Sequence, residues 1–292
     1  MKKFLKKYIP EPIYGFLVEI LNSYSQIMLQ EHPITGLFFI VGIFTGSLFM
    51  GLSSLLAVVT ALLTARFLKF DVEQRRKGIY GFSAALSGVA LILYFDAQSP
   101  IVWLTVVIAS IITPILQDFF QKKNIPVFTF PFVLVTMVFY YAIKNIFPEL
   151  LLSIELPNLR EMDYLSFTIK GFGQVIFQTS ILAGLLFFHG VLISSPVVAL
   201  FGLAGAFLSA VIALQLNMPL DSIFHGLFSF NAVLTAIVFS SCKKSEAIWF
   251  FLAVVLTALI SVAMTNLGII QLTLPFVIAS FTFTLIKRKF AK

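Results

Sequence analysis

The sequence predicts an all-α polytopic membrane protein that is built from two inverted-topology repeats. Of its 292 residues, 59% are hydrophobic and only 11% are charged, whereas soluble domains contain about 25% charged residues. Apolar runs recur along the whole chain, and several approach or exceed ~20 residues, the length at which a helix crosses a bilayer core of ~30 Å. One unusual motif also occurs twice, which indicates that the membrane helices form two related sets.

The repeated motif places two glutamines, four residues apart, in front of a long apolar run. It reads SQIMLQEHPITGLFF in the first half of the chain and GQVIFQTSILAGLLF in the second half. Gln26 and Gln30 therefore match Gln174 and Gln178, at a shift of 148 residues. The match needs no gap, which favours an internal repeat over chance similarity between two apolar stretches.

The basic loops indicate that the two repeats face opposite ways, since Lys and Arg in short loops mark the cytoplasmic side. Residues 66–77 contain five Lys or Arg, whereas the matched residues 214–225 contain none. Residues 95–100 contain none, whereas the matched residues 243–248 contain two lysines. Because the basic side changes at each matched loop, the sequence predicts an inverted repeat.

Both ends of the chain are basic, so both termini are predicted to be cytoplasmic. The basic residues are Lys2, Lys3, Lys6 and Lys7 at the start and Lys287, Arg288, Lys289 and Lys292 at the end. We therefore expect a multi-pass protein of the cell's inner (cytoplasmic) membrane, with the lipid bilayer as its surroundings.

Each half is predicted to cross the membrane five times, an odd number, as inversion requires. In the first half, two crossings precede Arg66, and three follow over about 78–95, 100–117 and 125–145. Residues 13–30 are too polar for a helix that faces lipid. Each half is therefore expected to contain, in addition, a re-entrant segment or half-helix, which a membrane tolerates where it lines a cavity.

These crossings define the predicted domains. The N-terminal inverted repeat covers 1–147, an extracytoplasmic linker covers 148–169, and the C-terminal inverted repeat covers 170–292. Inverted repeats with broken helices commonly hold their substrate between the halves, near the middle of the membrane. We therefore expect the pore between the two halves.

A second pair of motifs has the same spacing as the first. GIYGFSAALSGVA in the first half matches GLFSFNAVLTAIV in the second half. The match makes Phe82 and Leu86 the counterparts of Phe230 and Leu234.

A third pair of motifs is TFPFV, from Thr129, and TLPFV, from Thr273, at a shift four residues shorter. In each motif, proline removes a backbone donor and frees the carbonyl that it would have bonded. We expect this carbonyl and the threonine hydroxyl to form a small group of acceptors inside the membrane.

At these three motif pairs the chain resembles a bacterial member of the urea transporter family, and the resemblance covers both halves. It implies a homotrimer in which every subunit has its own pore, on the pseudo-two-fold axis between its halves. It also implies which residues line the pore. One mouth is assigned Gln26, Leu29, Phe82 and Leu86, the other is assigned Gln174, Phe177, Phe230 and Leu234, and Thr129 and Thr273 are assigned to the narrow middle.

Leu29 departs from the family pattern, which has an aromatic residue at this position. The counterpart in the second half is Phe177. A slot with a ring on one side only would hold a flat solute less well, unless Tyr80 or another nearby ring compensates.

The residue types at these positions suit urea, which is planar and neutral, with four N–H donors and one carbonyl acceptor. Moving an amide out of water without replacing its hydrogen bonds costs several kcal/mol. Phenylalanine rings supply flat walls, threonine hydroxyls and backbone carbonyls accept N–H groups, and glutamine at each mouth both donates and accepts. A conducting pore must bind its solute weakly at several such places.

Nearly every acid lies at a loop or a span end, and no pair of carboxylates is spaced for coupling to an ion, which favours passive, uncoupled flow. Acids within spans mark ion or proton pathways, but Asp71, Asp96, Asp118 and Asp221 all lie at loops or span ends. The three histidines share no metal-ligand spacing, and one cysteine forms no cluster. We therefore expect no metal, no cofactor and no nucleic-acid partner.

Two other functions remain as alternatives. The same lining would serve a channel for ammonia, a short amide or water, and Leu29 strengthens this alternative. A membrane enzyme would need clustered acids, histidines or arginines at a membrane face. The basic segment 66–77 lacks paired acids at catalytic spacing, so we predict that the protein is not an enzyme and has no catalytic residues.

Overall fold

The computed structural model describes residues 10–243 and 246–290. The terminal lysines Lys2, Lys3, Lys6, Lys7 and Lys292 and the loop residue Lys244, on which the sidedness prediction partly depends, lie outside the described residues. Over the described residues the chain forms helices and turns, with an isolated β-bridge between Phe95 and Leu151.

From residue 10 onward, where the structure describes the chain, the first half contains seven α-helices and a short 3₁₀ turn over Gln26–Met28. The helices are α1 (Glu11–Ser25), α2 (Pro33–Gly46), α3 (Leu48–Phe67), α4 (Val72–Arg76), α5 (Phe82–Tyr94), α6 (Pro100–Lys122) and α7 (Phe130–Ile146).

The second half repeats these helices in the same order, after a 3₁₀ turn over Pro148–Leu150. They are α8 (Asp163–Gln174), α9 (Ile181–Ser194), α10 (Pro196–Gln215), α11 (Leu220–Phe224), α12 (Phe230–Val238), α13 (Ala247–Asn266) and α14 (Leu274–Phe290). Helix α8 begins inside the range that was predicted to be a linker, 148–169.

The turns between the helices repeat as closely as the helices do. Five pairs of corresponding residues have a positive φ, which is uncommon outside glycine. They are Leu29 and Phe177, Lys69 and Asn217, Gly78 and Gly226, Asn124 and Gly268, and Phe128 and Leu272. The two halves of the chain therefore have the same backbone path as well as similar motifs.

Local sequence explains where several helices begin. Proline stands in the first turn of α2, α6 and α10, where its missing N–H is not needed. Ser47 caps α3 by accepting a hydrogen bond from the Met50 N–H, and Ser195 caps α10 in the same way from Val198. Because of these caps, a single serine separates α2 from α3, and another separates α9 from α10.

The apolar helices confirm the prediction of an all-α polytopic membrane protein. Within the described residues, α3, α6, α10 and α13 are each long and apolar enough to span a membrane. Helix α1 with its 3₁₀ turn forms a further candidate span with α2, and the pair is bent by 76°.

The predicted crossing over 78–95 is wrong as a complete span. Residues 78–81 form turns, and α5 has only 13 residues, which at 1.5 Å per residue gives about 20 Å against a bilayer core of ~30 Å. Its counterpart α12 has 9 residues. Helices α5 and α12 are therefore too short to span the membrane alone, and we call them the half-helices. The bent pair of α1 and α2 is one candidate span and α3 is another, which is compatible with the two crossings predicted before Arg66.

The two halves meet through contacts that are repeated reciprocally between corresponding residues of α2 and α9. The rings of Phe39 and Phe187 pack edge to face, with centroids 5.3 Å apart. Gly42 lies against the Phe187 ring, and its counterpart Gly190 lies against the Phe39 ring. Such reciprocal contacts are the signature of a two-fold relation, here between α2 and α9 within one chain.

Close packing within each half also depends on glycine. A Cβ at Gly36 would overlap the backbone carbonyl of Leu21, and a Cβ at the corresponding Gly184 would overlap the backbone carbonyl of Ile169. Small residues let helix backbones approach closely in membranes. The angle at which α1 meets α2 is therefore set by the absence of a side chain at Gly36.

We predict that Gly36→Ala destabilises the protein by about 1–3 kcal/mol, because the added methyl group forces α1 and α2 apart. Thermal unfolding in detergent measures the effect. Gly15→Ala is the matched control, since no atom lies within 4 Å of a Cβ at Gly15. Equal unfolding temperatures for the two variants would contradict the packing argument.

Candidate functional site

A small cavity in the first half, which we call the first mouth, contains most of the residues predicted there. Its volume is about 210 Å³. The lining includes Gln26, Leu29, Phe82, Gln117, Phe128 and Thr129. None of its lining residues is Asp, Glu, Lys or Arg.

A second cavity, which we call the second mouth, is lined in part by the counterparts of these residues. Its volume is about 430 Å³. The lining includes Gln174, Phe177, Phe230, Thr265, Gln271 and Leu272. It too has no charged side chain in its wall, and the two mouths share no lining residue.

The half-helices run in opposite directions between the two mouths. Helix α5 begins with Phe82 at the first mouth, and Leu93 and Tyr94 at its end line the second mouth. Helix α12 begins with Phe230 at the second mouth, and its last residue lines another cavity together with Phe128 of the first mouth. Corresponding helices with opposite directions are what an inverted repeat requires.

A tight turn after α1 holds Gln26 and Leu29 at the first mouth. The Leu29 N–H donates to the Gln26 carbonyl over 3.0 Å, and Leu29 takes a left-handed conformation with φ 58°. The side-chain amide of Gln30 closes the turn by donating to the Met28 carbonyl over 2.8 Å. Gln30 therefore supports the turn rather than the cavity.

The same turn after α8 holds Gln174 and Phe177 at the second mouth. The Phe177 N–H donates to the Gln174 carbonyl over 3.0 Å, and Phe177 also has φ 58°. The Gln178 amide donates to the Ile176 carbonyl over 3.1 Å. Non-glycine residues in this conformation cluster at functional sites, and here one stands at each mouth.

The two mouth glutamines differ in their partners. Gln174 is buried and donates its amide to the His225 carbonyl over 3.0 Å. His225 is itself fully buried, and its Nδ1 lies 2.8 Å from the Asp221 carbonyl. The side chain of Gln26 has no hydrogen-bonding partner within the described residues, so its carboxamide is available to the first mouth.

Thr129 and Thr273 meet where the two halves join. Their hydroxyl oxygens are 2.6 Å apart, and both side chains are buried. Each threonine immediately precedes a corresponding helix, α7 or α14, and Thr129 also lines the first mouth. One hydroxyl donates to the other, so the pair keeps unused lone pairs for a solute.

The carbonyls that the prolines free are not left unpaired, contrary to expectation. The Val127 carbonyl accepts the Phe130 N–H over 2.8 Å, and the Gln271 carbonyl accepts the Leu274 N–H over 3.0 Å. A tight turn before each proline supplies the missing donor. The threonine hydroxyls therefore contribute more to the acceptor group than these carbonyls do.

Leu86 and Leu234 lie deeper than the mouths. Both are fully buried in the core cluster that contains residues of both halves, and neither lines a mouth. Each stands one helical turn beyond the first residue of its half-helix, Phe82 or Phe230.

Phe128 supplies the ring that Leu29 lacks. The first mouth has Leu29 and Phe128, and the second mouth has their counterparts Phe177 and Leu272, so the ring and the aliphatic residue have exchanged positions. The Phe128 ring packs edge to face on Phe276, which also lines the first mouth, with centroids 5.3 Å apart. Each mouth therefore keeps an aromatic residue at one of its two left-handed positions.

Tyr80 does not supply the ring that compensates for Leu29. It lines a neighbouring polar cavity of about 540 Å³, which we call the vestibule and which also contains Lys69, Lys122 and Arg288. The Tyr80 hydroxyl donates to Asp118 over 3.1 Å. Burial, and then the Asp118 charge, raise the pKa of the Tyr80 phenol well above its ordinary value, so it remains a neutral donor. The vestibule adjoins the first mouth through Gln121.

Sequence reasoning missed several residues of the mouths, among them Gln117, Gln121, Phe128 and Gln271. A signal existed for the first two, since glutamines four residues apart share one face of a helix. Phe128 stands directly before Thr129 in the TxPFV motif, but a ring within an apolar stretch resembles lipid-facing bulk. Gln271 has Val127 as its counterpart, so the repeat gave no indication of it.

Comparison with known proteins gives a consistent result. Residues 17–288 match the sequence profile of the family described as "Urea transporter". The chain is 26% identical to a protein named "Urea transporter 1" in Ovis aries and to another in Capra hircus, each over 94% of this chain and 78% of the relative. It is also 26% identical to "Urea transporter 1" of Rattus norvegicus, over 81% of this chain and 66% of that relative.

We predict that Thr129→Val lowers the free energy of unfolding by about 1–3 kcal/mol, because it leaves the Thr273 hydroxyl buried without its partner. The double variant, with Thr273→Val as well, is expected to recover much of this loss, since both polar groups are then gone. Thermal unfolding of the two single variants and the double variant measures the coupling. Purely additive losses would contradict the pairing of the two hydroxyls.

Proposed function

The chain belongs to the urea transporter family, and we propose that it is a channel through which urea crosses a membrane passively, between the two mouths. The observation that carries the proposal is the pair of uncharged cavities that contain corresponding residues of the two halves, Gln26 and Gln174 among them. In this proposal Leu86, Leu234 and the Thr129–Thr273 pair lie along the route between the two cavities. Membership in a transporter family fits the prediction that the protein is not an enzyme.

The groups along this route replace the water around urea one step at a time. Gln26 and Gln174 stand where urea first leaves water, and amides both donate and accept. Phe82 and Phe230 present flat walls, and the hydroxyls of Thr129 and Thr273 accept N–H groups. Leu86 and Leu234 close the route to hydrated ions, since a charge cannot shed its water at an apolar layer without a large penalty.

The uncharged lining supports uncoupled flow. Coupled transporters use ionisable residues within the membrane to bind the driving ion, and neither mouth has one in its wall. Similar lining at both mouths suits flow in either direction, down the gradient of urea. A channel for ammonia, short amides or water stays the alternative, because the same lining accepts other small neutral solutes.

The setting of the pore is part of the proposal. We place both termini in the cytoplasm of a cell with the protein in its inner membrane, so that the basic vestibule and the first mouth face inward. The predicted domains, 1–147 and 170–292, form the two inverted repeats, and 148–169 joins them outside. A homotrimer, with one pore in each subunit, is what the family resemblance implies.

We predict that proteoliposomes with the protein take up urea much faster than empty liposomes, and that Gln26→Ala and Thr129→Val each reduce this uptake at least about tenfold. A loss of about 1.4 kcal/mol in solute binding, within the range of one hydrogen bond, gives that factor. Stopped-flow light scattering measures the uptake. Proton or sodium gradients are expected to change nothing.

Size-exclusion chromatography controls for the folding of these two variants. If the protein conducts ammonia or formamide but urea no faster than empty liposomes do, the alternative solute class is correct and the urea proposal is wrong.

We predict that Phe128→Leu reduces urea permeability about two- to tenfold, because the first mouth then lacks a ring at both exchanged positions; aromatic contacts contribute about 0.5–1.5 kcal/mol. Adding Leu29→Phe to this variant is expected to restore urea permeability, since the ring returns at the family position. Phe128→Tyr keeps the ring and serves as the control. Full urea flux through Phe128→Leu alone would show that Phe128 is packing only.

A further inference from the structure

Helix α6 presents a row of polar side chains on one face, at a spacing of four residues. Thr113, Gln117 and Gln121 follow one another along it, and this spacing places side chains above one another on a helix. At 1.5 Å per residue the row is about 12 Å long. It runs from the buried interior to the border of the vestibule.

The oxygen atoms of this row lack partners. Within the described residues, the side-chain oxygens of Thr113, Gln117 and Gln121 are buried and accept no hydrogen bond. Gln117 forms no side-chain hydrogen bond at all in this part of the chain, although only 6% of the residue is exposed. An unpaired buried acceptor costs about 1–3 kcal/mol, and native proteins avoid it.

Two of the three side chains line a cavity. Gln117 and Gln121 belong to the wall of the first mouth, and Gln121 also belongs to the wall of the vestibule. The Gln121 amide nitrogen donates to Gln74 over 3.3 Å, which leaves its oxygen as the free end. Thr113 is fully buried and lines neither mouth.

The corresponding positions on α13 carry hydroxyl groups instead of carboxamides. The counterparts of Gln117 and Gln121 are Ser261 and Thr265, whose hydroxyls are shorter and cannot reach as far. The second mouth obtains a carboxamide from Gln271 instead, whose nitrogen is held by the Ser261 carbonyl over 3.0 Å. The Gln271 side-chain oxygen, like those of Gln117 and Gln121, has no partner within the described residues. An unpaired carboxamide oxygen therefore stands at both mouths, on α6 at the first mouth and just before α14 at the second.

We propose that Gln117 and Gln121 form a solute-binding subsite at the first mouth, selective for small neutral molecules that carry several N–H donors. The inference rests on the proposed function and specifies where an amide-type solute exchanges water for protein. In this proposal the carboxamides turn when a solute binds, so that the two oxygens that the structure leaves buried and unpaired accept its N–H groups, while the Gln117 nitrogen donates to a carbonyl. The absence of a carboxylate from this wall disfavours cations, including ammonium.

The subsite separates urea from water as a permeant. Water bonds adequately to the remaining polar groups of the mouth, whereas urea has four N–H groups that need acceptors at once. Removing one carboxamide therefore affects urea more than water. This difference gives a readout that a structural role for the glutamine would not produce.

The test measures urea permeability and osmotic water permeability in the same proteoliposomes, for the wild type and Gln117→Leu. We expect urea permeability at low concentration to fall about tenfold, the factor for one hydrogen bond of ~1.4 kcal/mol, with water permeability unchanged. We also expect an unfolding temperature equal to or above that of the wild type, since a buried unpaired group has been removed.

Thr113→Val is the matched control. It removes an unpaired oxygen from the same face of the same helix, but away from the mouth, and is expected to leave urea permeability unchanged. Gln121→Leu tests the same proposal if Gln117→Leu does not fold, and it is expected to lower the ratio of urea to water permeability.

The outcomes separate the two proposals. If the wild type conducts urea and Gln117→Leu conducts it equally well, the subsite is wrong and the proposed function stands. The subsite is also wrong if Thr113→Val loses as much urea flux as Gln117→Leu, or if water and urea permeability fall together. If the wild type conducts no urea, the proposed function fails, and the subsite fails with it.

Discussion

Thr129 and Thr273 hydrogen-bond to each other where the two halves join, and the geometry of both mouths follows from that contact. Each threonine immediately precedes the first residue of a helix, so the pair fixes the starts of α7 and α14 relative to each other. The residues just before the threonines, Phe128 and Leu272, are thereby placed in the walls of the two mouths. Asn231 adds to this fixation in the second half, since its side chain bonds the Leu272 carbonyl and the Phe276 N–H, each over 3.2 Å.

The short half-helices follow from the need to satisfy backbone groups in a membrane. A helix that ends midway through the bilayer leaves polar groups that lipid cannot bond, so protein or a polar cavity must surround its ends. Every residue of α5 from Phe82 to Ile92 is buried, as is every residue of α12 from Phe230 to Ile237. Burial between longer helices is what permits each to begin at one mouth and point toward the other. Because the half-helices end inside the protein, a route can pass between the mouths without a kink in any helix that spans the membrane.

The sequence predicted the class of fold and the main polar residues because both depend on local patterns that occur twice. Gln26, Gln174, Thr129 and Thr273 stand out as polar residues that recur at matched positions in apolar runs. The length of α5 could not be predicted, since hydropathy does not show where turns at Gly78–Gly81 give way to helix. The burial of His225 depends on how α8 packs against the turn after α11, which is a tertiary contact. Phe128 and Gln271 could not be predicted because they break the repeat, and a repeat indicates only the residues that the two halves have in common.

The differences between the mouths are as informative as their likeness. A two-fold backbone requires only that corresponding residues have the same conformation, and Leu29, Phe177, Phe128 and Leu272 all satisfy this with a positive φ. Side chains at these positions can therefore exchange between the halves without disturbing the turns. The ring lost at Leu29 is regained at Phe128, and the carboxamide absent from position 127 is present on α6 instead. The two mouths thus share a set of chemical groups rather than a set of positions. Each has one ring at a left-handed turn, and each has a second glutamine in addition to Gln26 or Gln174. Such constancy is expected where a wall must match one solute and is not expected where side chains only fill space.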